Sequence, residues 1–565
     1  MRFRTELGAT VFAQKYANFL GQTWDQKAED LASIVVAAHE RSRGHIDDTA
    51  YQLQAHVFNA ISEMKFIPGG RYIYYAGRPA HFYNNCFLFK STADTREAWA
   101  TLMSDVTASL MSGGGVGNDY SIFRPKGSIL NRTGGTASGA IPLMLMVNEA
   151  GRNVMQGGSR RSAIYASLNW KHGDIQDFLK AKNWEDQYVK GAYTKDGRPF
   201  SIKDAKEHDF NYNAPLDMTN ISINYDTEWL NYTWPHGVGN GDPVLHKTFL
   251  ENVKQAMKNG EPGFSFNFFE NEDETARNAC TEVTSADDGD VCNLGSLNLA
   301  NINTIQEFEK MVEIATKFLL CGTIVGDLPV KKIEEVRTKN RRLGLGLMGV
   351  HEWLLKRGYR YEVTSELREW LEVYRDVSDH TAKDFSDKLH VSNPVKVRAI
   401  APTGTIGIVA GTTTGIEPIY AVAYKRRFLV DGEKWKYQYC VDATAKSIID
   451  ANKIDPDEIE TANHLARNPE RRIKFQADVQ DYVDMSISST LNLPSWGGDV
   501  NNNMSVSHFA NILAKYAHRL RGMTFYPDGS RGGQPITECA YEQALQYEGV
   551  TLEDNDNCKG GVCGL

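Results

Sequence analysis

Short apolar runs that end in glycine alternate with longer helix-like segments along this chain, and this alternation constrains its fold more than any other feature. One such run, Arg398–Ala401, comes directly before Pro402–Thr405. Apolar residues near the N-terminus recur at three- and four-residue spacing, which indicates that residues 1–65 are mainly helical. Further helices are predicted at 142–154, 304–325, 365–389 and 505–520. Short strands that alternate with longer helices indicate an α/β fold.

The composition is that of an ordinary globular enzyme, since 41% of the 565 residues are hydrophobic and 24% are charged. The formal net charge of −9 argues against a nucleic-acid partner, which would need a basic surface, but permits a nucleotide ligand. We expect no membrane span, and Met1–Glu6 lacks the apolar segment of a signal peptide. Eight cysteines without a secretion signal indicate a reducing compartment, so we expect a cytoplasmic protein.

One cysteine of this chain lies between an amide and a carboxylate. Cys280 follows Asn278 by two residues and precedes Glu282 by two, Cys292 comes twelve positions later, and Cys86 lies far upstream. A lone cysteine is more often a small buried hydrophobe than a functional group. That explanation does not account for the arrangement of polar groups around Cys280.

Two further cysteines, Cys558 and Cys563, lie at the end of the chain around a glycine-containing spacer. An accessible dithiol on such a segment suits thiol–disulfide exchange. A zinc site is the alternative, but two cysteines with no nearby histidine supply too few ligands, and we predict no metal site. Cys321 and Cys440 are predicted to lie in apolar helical stretches as plain buried residues.

Several further motifs follow one order along the chain: Gly113–Gly117, Arg124–Ser128, Gln156–Ala163, Arg341–Gly346, Ala401–Thr405, Gly415–Pro418 and Tyr526–Arg531. Together with the cysteines, they resemble the catalytic subunit of ribonucleotide reductases, most closely the adenosylcobalamin-dependent class II enzymes, from residue 60 to the end. The resemblance implies a ten-stranded α/β barrel of two half-barrels set antiparallel to each other, with Cys280 on a central finger loop. It divides the chain into a helical region (1–65), the barrel (66–545) and a flexible redox tail (546–565).

The resemblance implies that the chain reduces ribonucleotides to 2′-deoxyribonucleotides. Cys280 matches the thiyl-radical cysteine that abstracts the ribose 3′-hydrogen. Glu282 matches the base that takes the 3′-hydroxyl proton, and Asn278 the amide that holds the 2′- and 3′-oxygens. Cys86 and Cys292 match the pair that delivers two electrons and a proton as the 2′-hydroxyl leaves as water, and that ends the turnover as a disulfide.

The family's substrate-phosphate loop matches Thr403, Gly404 and Thr405, and Asn85 is expected to line the same site. Glycines let backbone amides approach an anion, although a plain glycine turn is the alternative explanation without the resemblance. Whether the substrate is a diphosphate or a triphosphate stays open. Cys558 and Cys563 match the shuttle that accepts electrons from a thioredoxin- or glutaredoxin-like reductant.

The effector site of the family, which takes a deoxynucleotide or ATP, aligns with Asp94 and Arg124. Arg160 and Arg161 fall on the segment that relays effector identity to the substrate base. Paired arginines suit phosphate contacts, although such a loop is more often a solvated turn. The effector site implies a homodimer; some class II members are monomers with an insertion, which is not visible between 127 and 142.

The source of the radical is the open question at this level. Class I relatives use a separate metal-containing subunit and two adjacent tyrosines in a Thr-x-Tyr-Tyr frame, whereas Thr524–Pro527 has proline at the second tyrosine position. This departure favours adenosylcobalamin, although the chain has no Asp-x-His-x-x-Gly cobalamin signature. A class I-type chain activated by a separate radical-generating subunit is the first alternative. A nucleotide-binding regulator or inactive paralogue is the second.

Overall fold

A computed structural model of the chain describes residues 3–154, 162–209, 211–233, 243–430, 434–530 and 536–553. Four residues with predicted roles, Arg160, Arg161, Cys558 and Cys563, lie outside the described residues.

Helices make up most of the outer layer. Three of them, α1 to α3, occupy the N-terminal region that the apolar spacing predicts to be helical. The helices of the described part are α1 (Glu6–Lys15), α2 (Trp24–Arg43), α3 (Asp48–Ser62), α4 (Gly70–Tyr75), α5 (Arg96–Met111), α6 (Ile141–Asn153), α7 (Ile175–Lys180), α8 (Ile202–His208), α9 (Thr227–Thr233), α10 (Pro243–Asn259), α11 (Ile305–Val325), α12 (Lys331–Asn340), α13 (Val350–Lys356), α14 (Ser365–Leu389), α15 (Gly404–Ala410), α16 (Ala443–Asn452), α17 (Ala462–Ala466), α18 (Pro469–Gln480), α19 (Val506–Ala517) and α20 (Tyr541–Gln546).

Strands form the central layer. Those of the described part are β1 (Phe66–Pro68), β2 (Cys86–Lys90), β3 (Gly115–Asp119), β4 (Ile164–Asn169), β5 (Tyr188–Tyr193), β6 (Pro199–Ser201), β7 (Thr219–Tyr225), β8 (Gly263–Phe266), β9 (Ala276–Arg277), β10 (Thr284–Ser285), β11 (Asp290–Asn298), β12 (Leu343–Met348), β13 (Ala423–Val430), β14 (Lys434–Val441), β15 (Thr490–Leu493), β16 (Gly522–Pro527), β17 (Ile536–Glu538) and β18 (Thr551–Glu553).

The large sheet closes into a barrel of two halves. In the first half β2, β3, β4, β7 and β8 are parallel to one another. In the second half β11 pairs with β12 and β15 with β16, again in parallel, and the extended segment 398–400 bridges them through Leu345–Arg398 and Ile400–Ile487. The halves meet antiparallel at β2–β11 and at β8–β16. The predicted α/β barrel of two antiparallel half-barrels is therefore confirmed.

Side chains along each barrel strand alternate between apolar residues, which face the surrounding helices, and polar residues, which face the inside of the barrel. On β7, Ile221, Ile223 and Tyr225 point into the core beneath the helices, whereas Asn220 and Asn224 take the opposite face. One core packs helices such as α5, α6, α10 and α19 against the first half-barrel. A second core packs α2, α3, α11 and α14 against the other half.

A separate four-stranded antiparallel sheet, in the order β17-β13-β14-β18, lies outside the barrel. It corrects two expectations. Cys440 lies on strand β14 opposite Tyr424 rather than in a helix, because Tyr437–Val441 pairs with β13. The predicted tail cannot begin at residue 546, because Thr551–Glu553 pair with β14 as its outer strand. Residues 554–565 lie outside the described residues.

No helix in the described part of the chain combines the length and the apolar character needed to cross a membrane.

Candidate active site

Two of the predicted redox cysteines face each other across neighbouring strands. Cys86 begins β2 and is the direct antiparallel partner of Cys292 on β11. Cα atoms of such partners are about 4.5–5.5 Å apart, within the range of roughly 4.4–6.8 Å that disulfides span. Both residues are buried, at 2% and 0% exposure, and burial raises the pKa of both thiols well above the usual value. The pair is therefore protonated at neutral pH, and its place in the sheet puts it within the Cα range of a disulfide.

A small hairpin carries the third cysteine into the barrel. Its two strands, β9 and β10, pair Arg277 with Thr284, and the loop between them holds residues 278–283. Thr281, next to Cys280, has a φ of +70°, a left-handed conformation that is costly for a β-branched residue. Strain of this kind at a loop tip persists only where the surroundings enforce it, and it clusters at functional sites.

Asn278 and Glu282 bracket the loop and reach the cysteine pair. The amide of Asn278 donates to Cys86 Sγ at 3.0 Å, and its Oδ1 accepts from the backbone N–H of Val283 at 3.0 Å. The Cys86 thiol donates to Glu282 Oε1 at 3.9 Å. Glu282 Oε2 has no hydrogen-bond partner among the described residues. Burial raises the pKa of Glu282 to about 7, so this carboxyl group can both accept and release a proton near neutral pH.

Cys280 differs from the four residues around it in exposure. Asn278, Glu282, Cys86 and Cys292 are all buried, whereas Cys280 at the loop tip is partly accessible. Cys280 is therefore the most exposed of these five residues.

The barrel wall fixes the loop through main-chain hydrogen bonds. The Asn220 side chain on β7 donates to the carbonyl of Ala279 at 3.1 Å, and the N–H of Ser486 donates to the carbonyl of Glu282 at 2.9 Å. Neither residue could be identified from the sequence, because nothing marks Asn220 or Ser486 among the other polar residues of the chain. The buried loop therefore has donors for its carbonyls from β7 and from the segment before β15.

Glycines of β3 leave room for the hairpin. A Cβ atom at Gly117 would lie 1.8 Å from the carbonyl oxygen of Arg277, and one at Gly115 would lie 3.0 Å from the Cβ of Ala279. The Gly113–Gly117 motif of the sequence therefore has a steric reason, since two of its glycines let the finger pass close to the wall.

The predicted phosphate loop lies at the start of α15. Thr403 has a φ of +49°, and its hydroxyl accepts from the N–H of Gly415 at 2.8 Å. Gly404 is exposed with open space around it, and Thr405 is partly exposed. Asn85 precedes Cys86, its N–H donates to the carbonyl of Cys292 at 3.3 Å, and its Oδ1 is buried without a described partner.

Asp94 and Arg124 are paired with each other away from the cysteines. Arg124 Nε donates to Asp94 Oδ2 at 2.5 Å. Both line a cavity of about 970 Å³ together with Trp99, Phe123 and Met146. Its lining is mostly from α5 and the loop between 123 and 139, and includes neither Cys280 nor the four residues around it. The structure thus separates the predicted effector residues from the predicted catalytic ones.

Residues 84–211, 246–386 and 392–526 match the family described as the ribonucleotide reductase barrel domain. The chain is 27% identical to the vitamin B12-dependent ribonucleoside-diphosphate reductase of Mycobacterium tuberculosis strain CDC 1551, over 89% of this chain and 76% of the relative. It is 25% identical to a putative adenosylcobalamin-dependent ribonucleoside-triphosphate reductase of Mycobacterium phage D29, over 83% and 75%. A solved class Id ribonucleotide reductase alpha subunit of Actinobacillus ureae has the same fold, with a TM-score of 0.68 at 14% identity over 93% of this chain and 97% of that one. The family match spans more than half of the residues, and the chain belongs to the ribonucleotide reductase family.

Proposed function

We propose that this chain reduces ribonucleotides to 2′-deoxyribonucleotides through a thiyl radical on Cys280. The observation that carries the proposal is the convergence of Asn278 and Glu282 on Cys86, opposite Cys292, at the base of the loop that holds Cys280. Asn278 lies 192 positions from Cys86 in the sequence, so the fold has to bring these groups together. Membership of the family supports the same chemistry.

The proposed reaction balances as one dithiol consumed per nucleotide. The sulfur radical of Cys280 takes the 3′-hydrogen, and Glu282 takes the proton of the 3′-hydroxyl while Asn278 orients the sugar oxygens. The 2′-hydroxyl leaves as water, and the thiols of Cys86 and Cys292 supply two electrons and two protons in total. Return of the 3′-hydrogen from Cys280 restores the sulfur radical. The products are the deoxynucleotide, water and a disulfide between Cys86 and Cys292.

The protonated state of the cysteine pair supports this role. Burial raises the pKa of both Cys86 and Cys292 well above the usual value, so both hold their hydrogens at neutral pH. A thiolate would be the better nucleophile, but a reductant that delivers protons with its electrons needs thiols. The raised pKa of Glu282, about 7, suits a group that takes a proton in one step and returns it in another.

Adenosylcobalamin is the cofactor we propose. Several relatives are named as dependent on it or on vitamin B12. Homolysis of its carbon–cobalt bond supplies the unpaired electron when the cofactor is bound. The partial exposure of Cys280 supports this, because the radical source has to reach this thiol. The strand β16 ends Tyr526–Pro527, without the second tyrosine of the class I path.

Substrate phosphates are proposed to bind the loop of Thr403, Gly404 and Thr405, with Asn85 lining the same site. The cavity with Asp94 and Arg124 is proposed to take a nucleoside triphosphate effector, since Arg124 can turn from the carboxylate to a phosphate. Met146 on α6 lines this cavity and is 50% exposed, and its neighbour Leu145 is 37% exposed; we propose that a second copy of the chain covers both in a homodimer.

The experiment that tests the function is anaerobic turnover of CDP and CTP by the purified chain with a dithiol reductant, in the dark, with and without adenosylcobalamin. Deoxynucleotide formed only with the cobalamin would support both function and cofactor. Product that requires an added metal-containing subunit would mean a class I-type chain. No product under either condition would favour a regulator or inactive paralogue.

Two cysteine variants serve as a matched pair in this assay. Cys280→Ser should abolish product, because an oxygen radical cannot form at this position under the same conditions. Cys321→Ser changes a buried cysteine of α11 outside the site and should retain turnover. Turnover by Cys280→Ser would overturn the mechanism.

A further inference from the structure

Arg277 precedes Asn278 in the sequence and takes no part in the proposed chemistry, although it is fully buried beneath the loop. Its guanidinium donates to the carbonyls of Thr281 and Phe266, both at 3.3 Å, and to Asn267 Oδ1 at 2.9 Å. In the described part of the chain no carboxylate lies within ion-pair distance of it, and burial lowers its pKa to about 10. A buried cation with no carboxylate in contact is costly, so its hydrogen bonds to neutral acceptors have to offset that cost.

The acceptor that matters for the site is Thr281. This residue lies between Cys280 and Glu282 in the left-handed conformation, with its N–H bonded to the carbonyl of Asn278 at 3.0 Å. Its own carbonyl accepts from Arg277 at 3.3 Å. The two bonds fix both peptide groups of Thr281, and these peptide groups set the directions of the neighbouring side chains.

The guanidinium also ties the loop to the barrel. Phe266 ends β8 and Asn267 follows it, so one planar group joins the tip residue Thr281 to a strand of the wall. A planar group with five donors in a fixed fork can serve these three acceptors at once, whereas an ammonium is a compact point charge on a flexible stem and an apolar chain has no donors.

We propose that Arg277 is a positioning residue, which holds Cys280 and Glu282 in their reactive directions by fixing the strained Thr281 between them. The inference rests on the proposed function for the roles of Cys280 and Glu282. The hydrogen bond from Arg277 to the Thr281 carbonyl, which we call the clamp, is a property of the loop and does not depend on that function. Loss of the guanidinium should free the tip while the buried cysteine pair on β2 and β11 stays in place.

The test compares Arg277→Met with Arg337→Met in the full chain. Arg337 is a matched control, because it is also buried and donates to a carbonyl, that of Gly326 at 2.6 Å, away from the loop. Alkylation of each cysteine by iodoacetamide is followed by mass spectrometry. Turnover of CDP is measured alongside under the conditions given above.

In Arg277→Met we expect Cys280 to be alkylated severalfold faster, while Cys86 and Cys292 stay as slow as in the wild type. Displacement of a reacting group by about 1 Å costs roughly 10²-fold, so kcat should fall by that order with little change in KM. Arg337→Met should change neither measurement. A Cys280 alkylation rate and a kcat equal to those of the wild type would overturn the proposal.

Arg277→Met could open the whole barrel, which fast alkylation of Cys86 and Cys292 would reveal. A second variant is used in that case. Arg277→Lys keeps the charge but not the planar group, so Cys280 alone should become more reactive; an unchanged Cys280 in this variant overturns the clamp. The two proposals remain distinguishable, because alkylation does not depend on turnover. A wild-type chain without turnover, in which Arg277→Met still exposes Cys280, would reject the proposed function and keep the clamp.

Discussion

Two carboxylates buried in the same barrel show how local partners decide the behaviour of a residue. Asp290 on β11 accepts hydrogen bonds from Ser285, Asn340 and Arg342, and its ion pair with Arg342 spans 2.9 Å. Glu282 is equally buried but has no described cation beside it, and one of its oxygens has no partner. Asp290 is therefore held in a hydrogen-bonded ion pair, whereas Glu282 is held at the point where it can exchange a proton.

The raised pKa of Glu282 predicts that this residue destabilises the fold at alkaline pH. Burial moves the pKa from 4.5 to about 7, so the unfolded state ionises first, and stability falls as the pH rises from 4.5 through 7. Each pKa unit corresponds to about 1.4 kcal/mol, so Glu282→Gln should raise the free energy of unfolding by about 3 kcal/mol at pH 8 and by nearly nothing at pH 4.5. Denaturant unfolding at the two pH values measures the difference.

The control for this prediction is Glu270→Gln, which changes an exposed glutamate and should leave stability the same at both pH values. Glu282→Gln should also lose turnover, since the amide cannot take the 3′-hydroxyl proton. A Glu282→Gln chain that is less stable than the wild type at pH 8 would contradict the pKa argument.

At the scale of residues, the sequence predicted the side chains with reactive groups but not the residues that hold them in position. The frame of Cys280 with Asn278 and Glu282 could be recognised because its side chains are rare in such an arrangement. That Cys86 lies opposite Cys292 depends on strand register, which the sequence separation does not reveal. Arg277 and its neighbours act through main-chain geometry, and that leaves no pattern in the sequence.

At the scale of elements, prediction succeeded where amphipathic spacing is long. The helix predicted at 365–389 has those bounds in α14, and that at 304–325 differs by one residue from α11. The helix α5 was not predicted, since glycines and turn signals dominate the stretch around it. Cys440 was assigned to a helix because the short apolar run Tyr439–Val441 fits either structure, and only pairing with β13 decides.

The short helix α15, whose start holds the proposed phosphate loop, is supported at its other end by the N-terminal region. Arg4 donates to the carbonyl of Gly411, the cap residue of α15, at 3.1 Å and pairs with the buried Glu352 at 2.5 Å. Gly8 on α1 packs against the last turn, where a Cβ would lie 2.7 Å from the carbonyl oxygen of Ile408. A cation at the C-terminal end of a helix stabilises the exposed carbonyls there.

Arg4→Met should therefore weaken nucleotide binding from a distance. Charges at helix ends contribute about 0.3–1 kcal/mol, and up to ~2 where partly buried, so the Kd for CDP should rise severalfold. Glu352 keeps Lys356, Thr412 and Thr444 as partners, so the fold should survive. Isothermal titration of CDP into the chain without reductant measures the effect.

The matched control for that titration is Arg43→Met, which breaks an ion pair with Asp47 in the same helical region. It should leave the Kd for CDP within experimental error. Equal affinities for the wild type and Arg4→Met would mean that the end of α15 does not influence the phosphate loop.

For the whole molecule, burial of the cysteine pair sets a condition on how the protein can be reduced. Cys86 and Cys292 are 2% and 0% exposed inside the barrel, so a reductant of protein size cannot touch a disulfide between them. Exchange requires that a thiolate contacts a sulfur of the disulfide directly. A shuttle on the same chain or a partner copy is therefore needed, and Cys558 and Cys563 are the dithiol that the sequence offers for it.

This requirement predicts a split between first and later turnovers in the variant Cys558→Ser/Cys563→Ser. One deoxynucleotide per prereduced active site should form at the wild-type rate, because Cys86 and Cys292 already hold the electrons. Continued turnover with thioredoxin should stop, while a small dithiol such as dithiothreitol should restore it in part, since it can enter where a protein cannot. Cys539→Ser, which changes a cysteine of no proposed role, is the control and should turn over repeatedly with thioredoxin. Wild-type multiple turnover by the double variant with thioredoxin would show that electrons reach the buried pair by another route.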